Sequence, residues 1–323
     1  FGAAGYATAG TMIGATVAGQ AIAAAALGGQ IWRDDRNVFF KSIRWKQMRE
    51  GIIRHKKFPI FGSWSALMNT ISSSLPALML AAFFSPAIVG FFALGHRLLS
   101  IPMSLIGGAI AHVFFQRAAE AKHHGTLHLV VGKVFNKLLS FGIFPLLVIM
   151  IAGKEIFFVI FGSQWETAGL YAQILAPWIM FQFISSPMST LFSVLEMQGT
   201  GLFFNSILLM TRIASLAIGG LLNSVLIALI LFSFTGAILY LGLCMLILKK
   251  SGVKKPVLLK DILRSGMICL IVISPVIICI VFSAEPLYSV IAACSSFLLY
   301  LVILYFRDND LQTLLKGFFN KAV

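Results

Sequence analysis

Two runs, 202–248 and 265–306, are so dominated by apolar residues that Arg212 and Glu285 are their only charged side chains. A helix that crosses a bilayer needs roughly 20 apolar residues. Each run therefore holds two crossings, broken by the polar turns Leu222-Asn223-Ser224 and Ser283-Ala284-Glu285-Pro286. The rest of the chain repeats the pattern. Nine spanning segments are expected, at 4–28, 62–84, 87–115, 134–160, 168–195, 202–222, 224–248, 265–283 and 287–306. The composition agrees, with 59% hydrophobic and only 11% charged residues, less than half the charged share of an ordinary soluble domain. The fold class is an all-α, polytopic transmembrane bundle without a sizeable soluble domain.

The loops have a charge rhythm. The segment 31–60 holds nine Lys and Arg, 116–137 holds four, 249–264 holds six and the tail from Arg307 holds three. The intervening loops hold only Lys154. Basic loops stay in the cytoplasm, so the positive-inside rule puts those loops and the C-terminus there. The net charge of +14 is thus an orientation signal toward anionic headgroups, and no nucleic-acid partner is expected. Nine crossings place Phe1 outside. With neither an initiator Met nor a basic signal-peptide region, the expectation is a fragment that lacks an odd number of upstream helices. The Gly/Ala-rich segment 1–30 reads as a helix that packs closely through small residues. In the tail, Leu311, Leu314, Leu315 and Phe318 share a helical face that would lie at the interface.

Two arginines remain, and both lie deep. Arg97 and Arg212 are each about ten residues into a segment, about 15 Å at 1.5 Å per residue. A central arginine costs roughly 2.5–3.5 kcal/mol on insertion scales. Such charges either line a polar cavity or pair with carboxylates or helix-end carbonyls. No carboxylate sits mid-segment: Glu155 and Glu166 lie near the outer surface and Glu196 near a cytoplasmic helix end. A cavity with arginines would suit an anionic group, because the guanidinium fork matches phosphate and keeps its charge. Neighbouring polar residues fall on compatible faces. Arg97, Ile101, Ser104 and Gly108 share a stripe, Asn205 and Arg212 are seven apart, and Asn69, Ser73 and Pro76 form a third polar or kinked stripe. Candidate substrate-binding residues are Arg97, Arg212, His96, Asn69, Asn205 and Ser104.

Other chemistry finds no support. Cys244, Cys269, Cys279 and Cys294 lie inside apolar runs without CxxC spacing, so they read as small hydrophobic residues. His123, His124 and His128 have no nearby Cys or paired carboxylates, so neither a metal nor another cofactor is expected. No phosphate-cradling loop, nucleophile elbow or zinc-protease motif occurs in the sequence.

The stretch SWSALMNTISSSLPALMLAAFFSPAIVGFFALGHRLLSIPMSLIGGAIAHVFFQRAAEAKHHG, residues 63–125, resembles the bacterial polysaccharide-biosynthesis flippases, the Wzx-like transporters. A second stretch, EIFFVIFGSQWETAGLYAQILAPWIMFQFISSPMSTLFSVLEMQGTGLFFN at 155–205, resembles them too. The likeness extends over about 30–250. It implies the fold of the multidrug/oligosaccharidyl-lipid/polysaccharide exporter superfamily, with two six-helix lobes around a central cavity. Residues 1–30 would be the last helix of the first lobe and 31–60 a basic cytoplasmic connector. Residues 61–248 would be the second lobe, 249–264 a cytoplasmic loop, 265–306 an additional helix pair and 307–323 a cytoplasmic interfacial tail. The likeness also implies a role, not an enzymatic one. A monomeric flippase in the bacterial inner membrane would move undecaprenyl-diphosphate-linked oligosaccharides to the outer leaflet, for O-antigen, capsule or exopolysaccharide. Partners would be that lipid-linked oligosaccharide, membrane lipids, and polysaccharide polymerase and assembly proteins. Arg97 matches the arginine of the family's al--R-l--P pattern; Arg212 follows with less support. The alternatives are a cation-coupled multidrug exporter of the same superfamily, which would need an intramembrane carboxylate, and a membrane glycosyltransferase or polymerase, which would need a sizeable outer loop.

Overall fold

The structure is a computed structural model and describes residues 9–42, 45–55, 57–282 and 284–307. Its helices are α1 (Ala9–Ser42), α2 (Trp45–His55), α3 (Lys57–Phe83), α4 (Pro86–Pro102), α5 (Gly108–His123), α6 (Leu127–Phe161), α7 (Glu166–Met188), α8 (Leu191–Val194), α9 (Gln198–Leu221), α10 (Val225–Lys250), α11 (Lys255–Val281) and α12 (Pro286–Arg307). A π-helical turn, Met103–Gly107, joins α4 to α5, and a 3₁₀ turn, Ser163–Trp165, precedes α7. No strand occurs among the described residues. The interfacial helix expected in the tail lies outside them.

Seven helices among the described residues are long and apolar enough to cross a bilayer: Ile60–Phe83, Leu127–Phe161, Ser163–Val194, Gln198–Leu221, Val225–Lys250, Leu258–Val281 and Pro286–Arg307. The pair Pro86–Ile101 and Met103–His123, bent by 42°, passes the same test jointly and, taken as one broken span, gives an eighth crossing. The bend falls at Pro102, which lacks the N–H that a continuous α-helix needs, and the π turn follows it. The ninth expected span, 4–28, lies partly outside the described residues. Its described part belongs to α1.

The chain divides into two compact units, residues 1–59 and 60–323. The first holds α1 and α2. Helix α1 continues through residue 30 to Ser42, so the boundary drawn there from the sequence falls inside a helix. Helix α2 exposes Trp45, Met48 and Ile53 beside basic residues, the composition of a helix that lies on a membrane surface.

In the second unit, α7 is the most enclosed span, packed by α4, α6 and α10. Its Leu175, Ile179, Phe183 and Met188 are almost wholly buried. A second core joins α6 to the α11–α12 pair through Phe144, Val148, Cys269, Ile273, Val276 and Tyr300, and the Tyr300 hydroxyl donates to the Ser140 carbonyl. Short caps turn the chain between crossings. Ser85 is extended and its Oγ accepts from the Ile88 N–H at 3.5 Å, with Pro86 as first helical residue. Ser224 caps α10 in the same way, accepting from Ile227 N–H at 3.4 Å. Gly219 allows α9 and α10 to meet at that hairpin. A Cβ there would lie 2.3–2.5 Å from Ala228 Cβ, Cα and N. The alternation puts the 124–126, 189–197 and 251–254 turns at one end of this unit. The uncharged turns near 84–85 and 222–224 lie at the other.

Candidate functional site

Helices α3 and α9 run in the same direction through the second unit and are tied by matched polar pairs. On α3, Ser65 and Ser72 are seven residues apart; on α9, so are Asn205 and Arg212. Seven residues are about two turns, so both members of each helix face one way. Asn205 Nδ2 donates to Ser65 Oγ at 2.8 Å and to the Ser65 carbonyl at 3.4 Å. Two turns deeper, Arg212 Nη1 donates to the Ser72 carbonyl at 2.7 Å and to Ser72 Oγ at 2.8 Å. The longer side chains of α9 cross the gap to the small serines of α3.

Arg212 is 5% exposed. Its guanidinium carbon lies 5.1 Å from the Trp178 ring centroid and 5.2 Å from that of Phe232. The charge is therefore met by a hydroxyl, a carbonyl and two aromatic faces, with no carboxylate bonded to it among the described residues. Desolvated cation–π contacts of this kind are worth about 2 kcal/mol. The aromatic layer continues outward: Trp178 stacks on His96 at 5.6 Å and 16°, and His96 on Phe92 at 5.7 Å and 11°. Gly236 makes room for Trp178, since a Cβ there would lie 2.6 Å from Trp178 Cδ1. His96 and Arg212, which the sequence offered as substrate contacts, are thus joined through Trp178 in side-chain packing.

A cavity of about 340 Å³ opens beside the upper pair, at the end of the unit that carries the basic loops. Ser65 and Asn69 of α3, Ser189 of the turn after α7, Gln198 and Asn205 of α9, and Tyr240 of α10 line it. No charged side chain is among its lining residues. Tyr240 Oη accepts from Gln182 Nε2 at 3.4 Å, and the Phe204 ring meets Tyr240 edge-on at 5.3 Å. Gln198 is 8% exposed, yet its Nε2 has no hydrogen-bond partner among the described residues. A buried donor left so costs about 1–3 kcal/mol. The cavity therefore offers amides and hydroxyls, groups that bind neutral polar atoms.

The six residues proposed from sequence separate into three places. Asn69 and Asn205 share the cavity. His96 and Arg212 lie in the packed aromatic layer. Arg97 and Ile101 of α4 and Ser104 of the π turn are exposed, and Ser104 Oγ turns back to the Ile101 carbonyl at 2.9 Å. Arg97 has no hydrogen-bond or ion-pair partner among the described residues. It stands 11 residues from Pro86, about 17 Å into the span. Sequence reasoning missed Ser65, Gln198 and Tyr240. The spacing signal existed for two of them: Ser65 precedes Asn69 by four residues, and Gln198 precedes Asn205 by seven. No metal-binding group of His, Cys, Asp or Glu occurs among the described residues.

The fold and cavity define a multi-pass, all-α membrane protein with a neutral polar pocket inside its helical bundle. Residues 11–169 match the polysaccharide biosynthesis protein family. Over that stretch, the resemblance read from 63–125 is borne out. The match ends at residue 169, so most of the second stretch, 155–205, lies beyond it. No curated protein and no solved structure matches the chain.

Proposed function

We propose that this protein is a flippase that carries undecaprenyl-diphosphate-linked oligosaccharide units across the bacterial cytoplasmic membrane for surface polysaccharide synthesis. The observation that carries this reading is the uncharged amide-and-hydroxyl cavity, with Gln198 Nε2 buried and unpartnered beside it. Sugars present hydroxyls that both give and accept hydrogen bonds, and Asn, Gln, Ser and Tyr match them without charge. The diphosphate needs a cation, and among the described residues Arg97 is the exposed arginine at mid-depth. An arginine there costs about 2.5–3.5 kcal/mol if it faces lipid, so a polar surface or an anionic ligand is its favourable neighbour. Transport needs no covalent step. Alternating access would expose the bound headgroup first to one side and then to the other, with the lipid tail kept in the bilayer. The basic loops gather the anionic headgroup on the cytoplasmic face.

The test uses the full-length transporter in cells that depend on it for surface polymer. Gln198→Leu keeps volume but removes the donor, and should reduce polymer export about tenfold at unchanged protein level and melting temperature. Arg97→Ala should reduce export more than Arg97→Lys. Near-normal export by Gln198→Leu, Arg97→Ala and Arg97→Lys would remove both groups from the substrate path. Loss of cationic-dye efflux with intact polymer would instead favour a drug exporter.

A further inference from the structure

A second opening, of about 560 Å³, lies between α5 and α6 and shares no residue with the polar cavity. Its wall is apolar, formed by Ile110, Val113 and Val134 among others, and three cations, Arg117, Lys133 and Lys137, border it. No carboxylate is among its lining residues. The hairpin geometry explains this arrangement. The turn at 124–126 makes α5 and α6 antiparallel. Arg117 is then level with Lys133, each about two turns from the bend, and Lys137 lies one turn further in, below Lys133 on the same face. Arg117 and Lys133 are exposed, Lys137 is half-buried. The nearest acid on either helix is Glu120, exposed and three residues from Arg117. Among the described residues no ion pair ties Arg117 or Lys133 to it.

From this geometry we infer that the α5–α6 groove is a binding site for an anionic glycerophospholipid of the membrane. The charges and the apolar wall are stacked in the order that a phospholipid presents them. Lys133 is six residues into α6 from Leu127 and Lys137 is ten, about 9 and 15 Å at 1.5 Å per residue. That depth spans the boundary between headgroups and acyl chains. Long Lys and Arg side chains reach from it to a phosphate while their stems lie on apolar surface. Basic pockets between spanning helices on the cytoplasmic side recognise anionic headgroups by this means. A free phosphate ion would leave Ile110, Val113 and Val134 without use. A zwitterionic lipid would bring its own ammonium against Arg117 and Lys133. The transported lipid is the less favoured occupant, because the groove and the polar cavity are formed by different helices. The bound lipid would pin the α5–α6 hairpin at the interface, next to the bent α4–α5 junction.

The test is native mass spectrometry of the full-length protein released from micelles doped with phosphatidylglycerol or phosphatidylcholine. Wild type should retain phosphatidylglycerol at least tenfold better than phosphatidylcholine. Arg117→Gln, Lys133→Gln and Lys137→Gln together should abolish that preference, and Lys133→Arg with Lys137→Arg should keep it. Val113→Trp fills the groove while keeping every charge, and should also lose retention. Equal retention of both lipids by wild type would overturn the site. So would full retention by Val113→Trp, which would make the effect one of diffuse surface charge. Displacement of phosphatidylglycerol by polyprenyl diphosphate at equal concentration would assign the groove to the transported lipid and overturn the inference. Polymer export is a separate readout, so failure here leaves the test of the polar cavity intact.

Discussion

The Ser72–Arg212 contact allows a double-mutant cycle that separates a structural arginine from one that handles substrate. Ser72→Ala removes one of the two acceptors of Arg212 Nη1, the Oγ at 2.8 Å, and leaves the carbonyl at 2.7 Å. Hydrogen bonds to charged groups are generally worth about 1.5–3 kcal/mol. Polar contacts between spanning helices average only about 0.6 and reach about 1.7 kcal/mol, because the unfolded helices find other partners. With one partner charged and 5% exposed, the coupling should lie near the upper end, about 1–1.7 kcal/mol. Arg212→Met keeps much of the side-chain volume over Trp178 and Phe232 and removes the buried charge. Its own cost should be about 1–3 kcal/mol, since the buried Ser72 hydroxyl is left without its donor. In the Arg212→Met background, Ser72→Ala should cost almost nothing, because the hydroxyl has lost its donor.

Reversible unfolding in mixed micelles, followed by tryptophan fluorescence of wild type, both single variants and the double variant, measures the coupling. A value within about 0.5 kcal/mol of zero, the range of independent sites, would refute the claim that this pair ties α3 to α9. Export gives the second half. If Arg212 is structural, Arg212→Met should retain polymer export in proportion to its stability. Loss of export with an unchanged unfolding curve would place Arg212 on the substrate instead.

Two further outcomes follow from packing and charge. Gly219→Ala should lower stability by roughly 1–3 kcal/mol, the usual cost of overpacking, because its Cβ meets backbone atoms of Ala228 at 2.4–2.5 Å; Gly242→Ala meets nothing within 4 Å and should melt at or above wild type. An unchanged melting temperature for Gly219→Ala would contradict the close α9–α10 approach. Reporter fusions read the orientation: a fusion after Gly125 should be cytoplasmic and one after Gly162 external, as the basic loops require, and the reverse pattern would invert the topology.

The crossings were legible because bilayer thickness imposes a length on them. The bent fourth helix was partly legible too, through Pro102. Helix ends were less so. Helix α6 begins at Leu127 and not near 134, since a helix continues past the hydrocarbon edge when Lys133 and Lys137 can reach the interface. The span expected at 168–195 breaks after Met188, with α8 as a separate turn, where Ser185 and Ser189 donate back to the Phe181 and Ser186 carbonyls. The partner of Arg212 was hidden for a different reason. With 3.6 residues per turn, Asn69 can be followed on its face by residue 72 or 73. Sequence favoured Ser73, which in the structure is exposed and bonds the Thr70 carbonyl. Ser72, one residue earlier, is wholly buried and holds the arginine. Only the position of α9 decides between them.

That one-residue difference also separates two arginines that look alike in sequence. Both lie at mid-span without a carboxylate in reach, and each must find another way to keep its charge in the bilayer. Arg212 faces a serine on a parallel helix and lies over two aromatic rings, so its donors and its charge are taken up within the protein. Arg97 is exposed with Ile101 and Ser104, and Ser104 spends its hydroxyl on the Ile101 carbonyl. Nothing within the described fold neutralises Arg97, although the same energetic cost applies to it. An arginine held by its fold can be exchanged for an apolar side chain of similar volume. One that is exposed at that depth can be exchanged only for another cation, if an anion is what it meets. The contrast between Arg212→Met and Arg97→Lys therefore tests the assignment of both residues at once, and a tolerated Arg97→Met would break it.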